Sequence, residues 1–304
     1  SKWRPSSRIP PLRTSAICSP SRSACTIAAH SLSAGAGTEE GPWFVVEAVT
    51  RVRITTDMEE LVSDGLRLGA HFARPTGVTR VPGLLVLPGF PRGAGGAAAV
   101  GNTDQTLCDR IARESGWAGL TFTFRGTGPS EGDFSIEGWL ADVRSAVDAL
   151  HARTDITGVW IAGFRLGGTL ALVVAADDDR VRGIATFAAP ASLRTWVREP
   201  EWFIEYARRT GVLRTHDFPT DPEAWIRAIG TLDPVGAAER IGPRPWLLVH
   251  GSADDVVPVD DARRLAIAGG DCVDLRIVAN GPHRLRHDPR AIAALLGWLD
   301  RQEP

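Results

Sequence analysis

Beyond Met58 the chain alternates short apolar runs with amphipathic stretches. That is the pattern of a mostly parallel sheet with helices on both faces. The runs Leu84–Leu87, Leu120–Phe124, Val159–Ala162, Ile184–Ala188, Trp246–Val249 and Leu275–Val278 are each bounded by glycine, proline or charged residues, which predicts buried strands. Ahead of them, Ser63-Asp64-Gly65 is a turn signal between Glu60–Val62 and the alternating Leu66–Phe72, so Glu60–Pro75 is predicted as a hairpin. Ile136, Leu140, Val143, Val147 and Leu150 recur at helical spacing behind Ser135, a residue type suited to an N-cap. Asp288-Pro289 followed by Ile292, Leu295, Leu296 and Leu299 predicts a closing helix. Residues Leu193 to Glu239 break the alternation with two helical segments carrying Trp196, Trp202, Phe203, Tyr206 and Trp225. The expectation is one domain over residues 58–303, with a short helical cap inserted at about 193–239. Most cap aromatics should anchor it to the body, leaving one or two to line a pocket.

Composition narrows the function classes. The chain has 304 residues and 43% hydrophobic residues, enough for a sizeable core. Lys+Arg total 34 against 36 Asp+Glu, so charge gives no argument for a nucleic-acid or anionic-membrane partner, and a small-molecule partner is expected. Cys18, Cys25, Cys108 and Cys272 form no Cys-x-x-Cys pair, which predicts neither a disulfide framework nor a metal knuckle and suits a cytoplasmic protein. No cofactor is expected, and no apolar run approaches the ~20 residues that would span a bilayer. The N-terminal stretch differs. Up to Thr38 it holds Lys2, Arg4, Arg8, Arg13 and Arg22 with no acidic residue. An organelle transit peptide has that composition. With Met58 as the single methionine, a disordered or non-native extension over residues 1–45 is the preferred expectation.

The chemistry concentrates at three turns. The run Val159–Ala162 enters Gly163-Phe164-Arg165-Leu166-Gly167-Gly168 and then an apolar helix from Thr169 to Ala176. A strand, a tight glycine turn and a helix hold the central residue in strained geometry and present it to a cleft. After Trp246–Val249 comes His250-Gly251-Ser252-Ala253-Asp254-Asp255-Val256-Val257-Pro258, and after Leu275–Val278 comes Asn280-Gly281-Pro282-His283. An acid and then a histidine, each on a loop behind a late strand, follow the chain order of a hydrolase triad.

From about Glu59 to Gln302 the sequence resembles the α/β-hydrolase superfamily, in its esterase, serine aminopeptidase-like and dienelactone hydrolase-like branches. The resemblance implies Gly163, Gly167 and Gly168 as the nucleophile elbow, Asp254 as the acid and His283 as the base. Phe124-Arg125-Gly126-Thr127-Gly128-Pro129-Ser130 looks like the family's Arg-Gly-His-Gly-x-Ser loop, and Pro88-Gly89-Phe90-Pro91 like its His-Gly oxyanion turn. It implies the backbone N–H groups of Phe90 and Leu166 as oxyanion donors. Pro88 and Thr127 replace histidines, and Arg165 stands where the nucleophilic serine belongs.

A guanidinium stays protonated and has no lone pair for attack, so no acyl-enzyme forms at residue 165. Thr169 and Ser252 are the nearest hydroxyls, and neither is at the apex. Four readings are open. Arg165 binds an anionic ligand at a helix N-terminus; or the His283–Asp254 pair activates water or removes a substrate proton. Otherwise Arg165 pairs with Asp254 or Glu131 in an inert cleft, or a single-base change has replaced serine. The resemblance implies an ester or acyl hydrolase, impaired in serine chemistry as written.

Overall fold

The computed structural model describes residues 52–302, and the expected extension over 1–45 lies outside them. Strands β1 (Ile54–Ser63) and β2 (Leu66–Pro75) form the predicted hairpin, with Asp64 at φ 49° and Gly65 at φ 78° turning between them. Two successive positive φ values match the right-handed twist of paired strands. The strand β1 starts upstream of Met58, because its register with β2 runs back to Ile54 opposite Pro75.

There follow β3 (Val81–Leu87), α1 (Asn102–Glu114), β4 (Ala118–Phe122), α2 (Ile136–His151), β5 (Ile156–Phe164), α3 (Leu166–Ala176) and β6 (Val181–Phe187). After them come α4 (Pro200–Thr210), α5 (Pro222–Thr231), α6 (Pro234–Arg240), β7 (Trp246–Gly251), α7 (Val259–Gly269), β8 (Val273–Val278) and α8 (Pro289–Leu299). The eight strands make one sheet in the order β1-β2-β4-β3-β5-β6-β7-β8, antiparallel through β1, β2 and β4 and parallel from there on.

Local chemistry explains the helix ends. Ser135 accepts a hydrogen bond from the Gly138 N–H to cap α2, and Asp288 does the same for the Arg290 N–H ahead of α8. Apolar side chains fill both faces of the sheet, so one core contains Leu85, Ile161 and Leu170 and the other contains Leu84, Trp160 and Leu295. Helix α3 is buried along nearly its whole length.

One helix is added to the expected pattern and three expectations are corrected. Helix α1 carries a Leu107, Cys108, Ile111 and Ala112 face that the pattern reading passed over. Helix α3 begins at Leu166 rather than Thr169, because the two glycines of the turn already belong to its first turn. The stretch between β6 and β7 holds three helices, not two, the third opening on Asp233-Pro234. Thr123, Phe124 and Ala188 fall beyond their strands, where the chain leaves the sheet toward the loops. Among the described residues no helix is long and apolar enough to cross a membrane.

Candidate active site

At the end of β5 the backbone turns at Arg165, with φ 56° and ψ −123°, and enters α3 at the next residue. Glycine makes this turn possible. A Cβ on Gly163 would strike the Gly167 carbonyl oxygen, one on Gly167 would strike the Pro88 oxygen and stand 2.7 Å from the Leu87 oxygen, and one on Gly168 would lie 2.8 Å from the Gly163 oxygen. The three glycines therefore let β3, β5 and α3 approach with backbone against backbone. The Arg165 N–H donates to the Phe187 oxygen at 2.7 Å, and its carbonyl accepts from Gly168 at 2.9 Å, fixing the apex on both sides. Its side chain lies across Gly89, where an added Cβ would be 2.6 Å from Nε.

The loops after β7 and β8 bring the acid and the histidine together. His283 Nδ1 donates to both oxygens of Asp254, at 3.0 and 2.9 Å, which leaves Nε2 as the ring atom available to a ligand. Asp254 also accepts from the Val256 and Val257 N–H groups at 2.9 and 2.8 Å. His250 lies 3.4 Å from it through Nε2 and sits 3.0 Å from the Val257 oxygen. Burial by itself would raise the Asp254 pKa. Hydrogen bonds from His250, His283 and the two amides outweigh it and hold the carboxyl well below the usual carboxylate range. Asp255 is exposed, so Asp254 is the residue that meets the histidine.

Phe90 and Leu166 are buried, and among the described residues neither backbone N–H has a hydrogen-bond acceptor. The Leu166 N–H belongs to the first turn of α3, whose leading amides have no intrahelical partner. The Phe90 ring is also the hub of an aromatic cluster, with Phe134 at 5.1 Å, Trp196 at 5.6 Å and Phe203 at 6.0 Å.

A cavity of about 660 Å³ opens over this site, walled by Phe90, Trp196, Trp202, Phe203, Tyr206 and Val257, with Arg92, Arg165 and His283 also lining it. Four of the six aromatics between β6 and β7 thus line the cavity, more than the one or two expected. Trp225 is buried and donates from Nε1 to the Phe134 oxygen at 2.9 Å, and Phe218 packs against the core.

Arg165 is half-buried, and among the described residues it forms no ion pair. Burial, then Arg286 and Arg92, push its pKa down to about 10, with Asp104 opposing them. It remains a cation at neutral pH. The inert-cleft reading fails on both named partners, because Glu131 is taken by Arg67 at 2.6 Å and Asp254 by His283. Neither alternative hydroxyl is placed for attack. Thr169 is buried and donates to the Pro190 oxygen at 2.9 Å, while Ser252 accepts from the Asn280 N–H at 2.8 Å on an exposed loop. Among the described residues no group of three His, Cys, Asp or Glu side chains could hold a metal ion. Arg92, Arg284, Arg286 and Asp104 escaped the sequence reading. The only signal was Arg284-Leu285-Arg286 directly behind His283.

The protein has the α/β-hydrolase fold. The α/β hydrolase GrgF from Penicillium sp. sh18 superposes with a TM-score of 0.61 at 18% identity, covering 82% of this chain and 99% of that one. Est1E from Butyrivibrio proteoclasticus, solved with ferulic acid bound, gives 0.61 at 20% identity, covering 80% and 96%. In sequence the chain is 26% identical over 178 residues to the uncharacterized protein YfhR of Salmonella typhi, covering 53% of each. The chain therefore spans about half the length of that relative. No family model matches the chain.

Proposed function

We propose that this chain is built on the plan of an ester or acyl hydrolase, with Arg165 in the nucleophile's place, and that its cavity binds a small molecule through a carboxylate. The carrying observation is the unpaired, half-buried Arg165 guanidinium at the apex of the turn, beside His283. A buried charge is costly until it is paired, and a ligand carboxylate would pair it while the free N–H groups of Phe90 and Leu166 and the start of α3 favour the same charge. The aromatic wall suits an apolar or aromatic body. Est1E, alike in fold, holds ferulic acid, an aromatic carboxylic acid. In this reading the helices between β6 and β7 act as the cap, Asp254 and His283 keep the acid and base positions, and the partner is a small molecule in the cytoplasm.

A second reading rests on the His283–Asp254 pair, whose orientation leaves Nε2 free to take a proton from water or substrate without a covalent intermediate. One comparison decides between ligand binding, dyad chemistry and an intact frame missing one hydroxyl. The unmodified protein and Arg165→Ser are assayed for p-nitrophenyl ester hydrolysis, fluorophosphonate labelling and binding of 3-phenylpropanoate. Arg165→Ser is expected to gain labelling at residue 165, to turn over esters on the order of 10³-fold faster, and to lose the carboxylate. Labelling of the unmodified protein at a serine, with His283-dependent turnover, would overturn the proposal. Turnover that depends on His283 without labelling would establish the dyad.

A further inference from the structure

A smaller recess of about 190 Å³ shares Arg92, Arg165 and His283 with the cavity. Its lining brings together Arg92, Arg165, Arg284, Arg286, His287 and the first residues of α1. The balance of charge there is lopsided. Among the described residues Asp104 is the single carboxylate on the lining; it is almost fully buried, and Arg286 already holds it, Nη1 donating to Oδ2 at 2.9 Å. Arg286 Nη2 stands 2.7 Å from the other oxygen but out of line for a hydrogen bond, so Nη2 and Nε are both buried without an acceptor. Among the described residues Arg92 and Arg284 have no ion-pair partner. Helix α1 starts at the same recess behind Gly101, which has no side chain to cap its first amides.

We propose that this recess is a phosphate subsite, so that the ligand of the cavity is a phosphorylated organic molecule whose apolar body lies against Trp196 and Trp202. Arg286 is committed to Asp104 and to the Phe164 ring, 4.7 Å from its guanidinium. The guanidinium groups of Arg92, Arg165 and Arg284, unpaired among the described residues, match the oxygens of a tetrahedral dianion better than a single carboxylate, which one arginine can satisfy. Arg165 and Arg92 line both the recess and the cavity, so a ligand spanning the two passes the His283 ring on the way. The body's position rests on the cavity reading above; the phosphate subsite stands on the recess alone.

The experiment is calorimetric titration of the whole chain at fixed ionic strength with inorganic phosphate, benzyl phosphate and 3-phenylpropanoate. Benzyl phosphate is expected to bind at least tenfold tighter than inorganic phosphate. Arg284→Glu should lose tenfold or more of both phosphate affinities and keep 3-phenylpropanoate unchanged; Arg92→Gln, at a second exposed position, should weaken both in the same direction. Trp202→Ala should remove the advantage of benzyl phosphate alone. Failure of inorganic phosphate to bind in the millimolar range, or equal binding by Arg284→Glu, overturns the subsite. Equal affinity for the two phosphates overturns the organic ligand. If 3-phenylpropanoate does not bind but benzyl phosphate does in an Arg284-dependent way, the carboxylate reading fails and the phosphate subsite is upheld.

Discussion

Two loops at the same end of the sheet each carry an arginine in from solvent, and they treat it in opposite ways. After β4, Arg125 is only 9% exposed, and its Nε and Nη2 donate to one Asp142 oxygen at 2.9 and 2.7 Å while Nη2 also reaches Asp64 at 2.9 Å. The backbone joins in, the Arg125 N–H donating to the other Asp142 oxygen at 3.0 Å and its carbonyl accepting from the Trp139 indole at 3.0 Å. Burial would lower the Arg125 pKa, and its two carboxylate partners more than reverse this. After β5, Arg165 has no such partner among the described residues, and burial, then Arg286 and Arg92, lower its pKa. A buried charge that is fully paired works as a strut; the one left unpaired in the cavity is, in the function proposed above, the binding group.

The comparison breaks most sharply on stability. Asp142→Ala strands Arg125 in the core and is expected to cost about 3–5 kcal/mol in urea unfolding. Arg165→Met removes an unpaired charge and should leave the urea midpoint unchanged or higher. Equal losses in the two variants would mean that Arg165 has a structural partner after all.

Next in size are the glycines that shape the two loops. Gly167→Ala drives a Cβ into the Pro88 carbonyl, and Gly126→Ala puts one 2.5 Å from the Val212 oxygen at φ 77°. Each should cost about 1–3 kcal/mol by the same measurement. A smaller effect of opposite sign is expected at the apex. Arg165→Gly relieves φ 56° as well as the charge, and should stabilise by about 1 kcal/mol. A loss of stability there would show that the arginine side chain holds the turn.

The smallest effect concerns pH. Asp254 titrates lower in the folded chain than its unfolded value of about 3.9, so its contribution is complete above about pH 4. It is lost as pH falls toward the folded value, where the bonds from His283, Val256 and Val257 lose their charged acceptor. Thermal unfolding of Asp254→Asn across pH 2–6 should give a flatter acid limb than the unmodified protein. Superimposable limbs would mean that Asp254 is not ionised in the folded site.

Legible in the sequence alone are the order of the strands, the helices α2 and α8, the hairpin at Asp64-Gly65, the glycine turn around Arg165, and the acid and histidine behind β7 and β8. Each of these is written in residues close together in the chain: period-two and period-3.6 patterns, turn glycines, a cap and its proline. Folding brings Asp254, rather than the exposed Asp255, against His283 across 29 residues, and sorts the aromatics between β6 and β7 into core and cavity. It also decided that Arg125 is paired and Arg165 is not. Arg286 meets Asp104 across 182 positions, so no local pattern could foresee the recess they build. Charge pairing depends on which elements pack face to face, and packing is a property of the whole sheet.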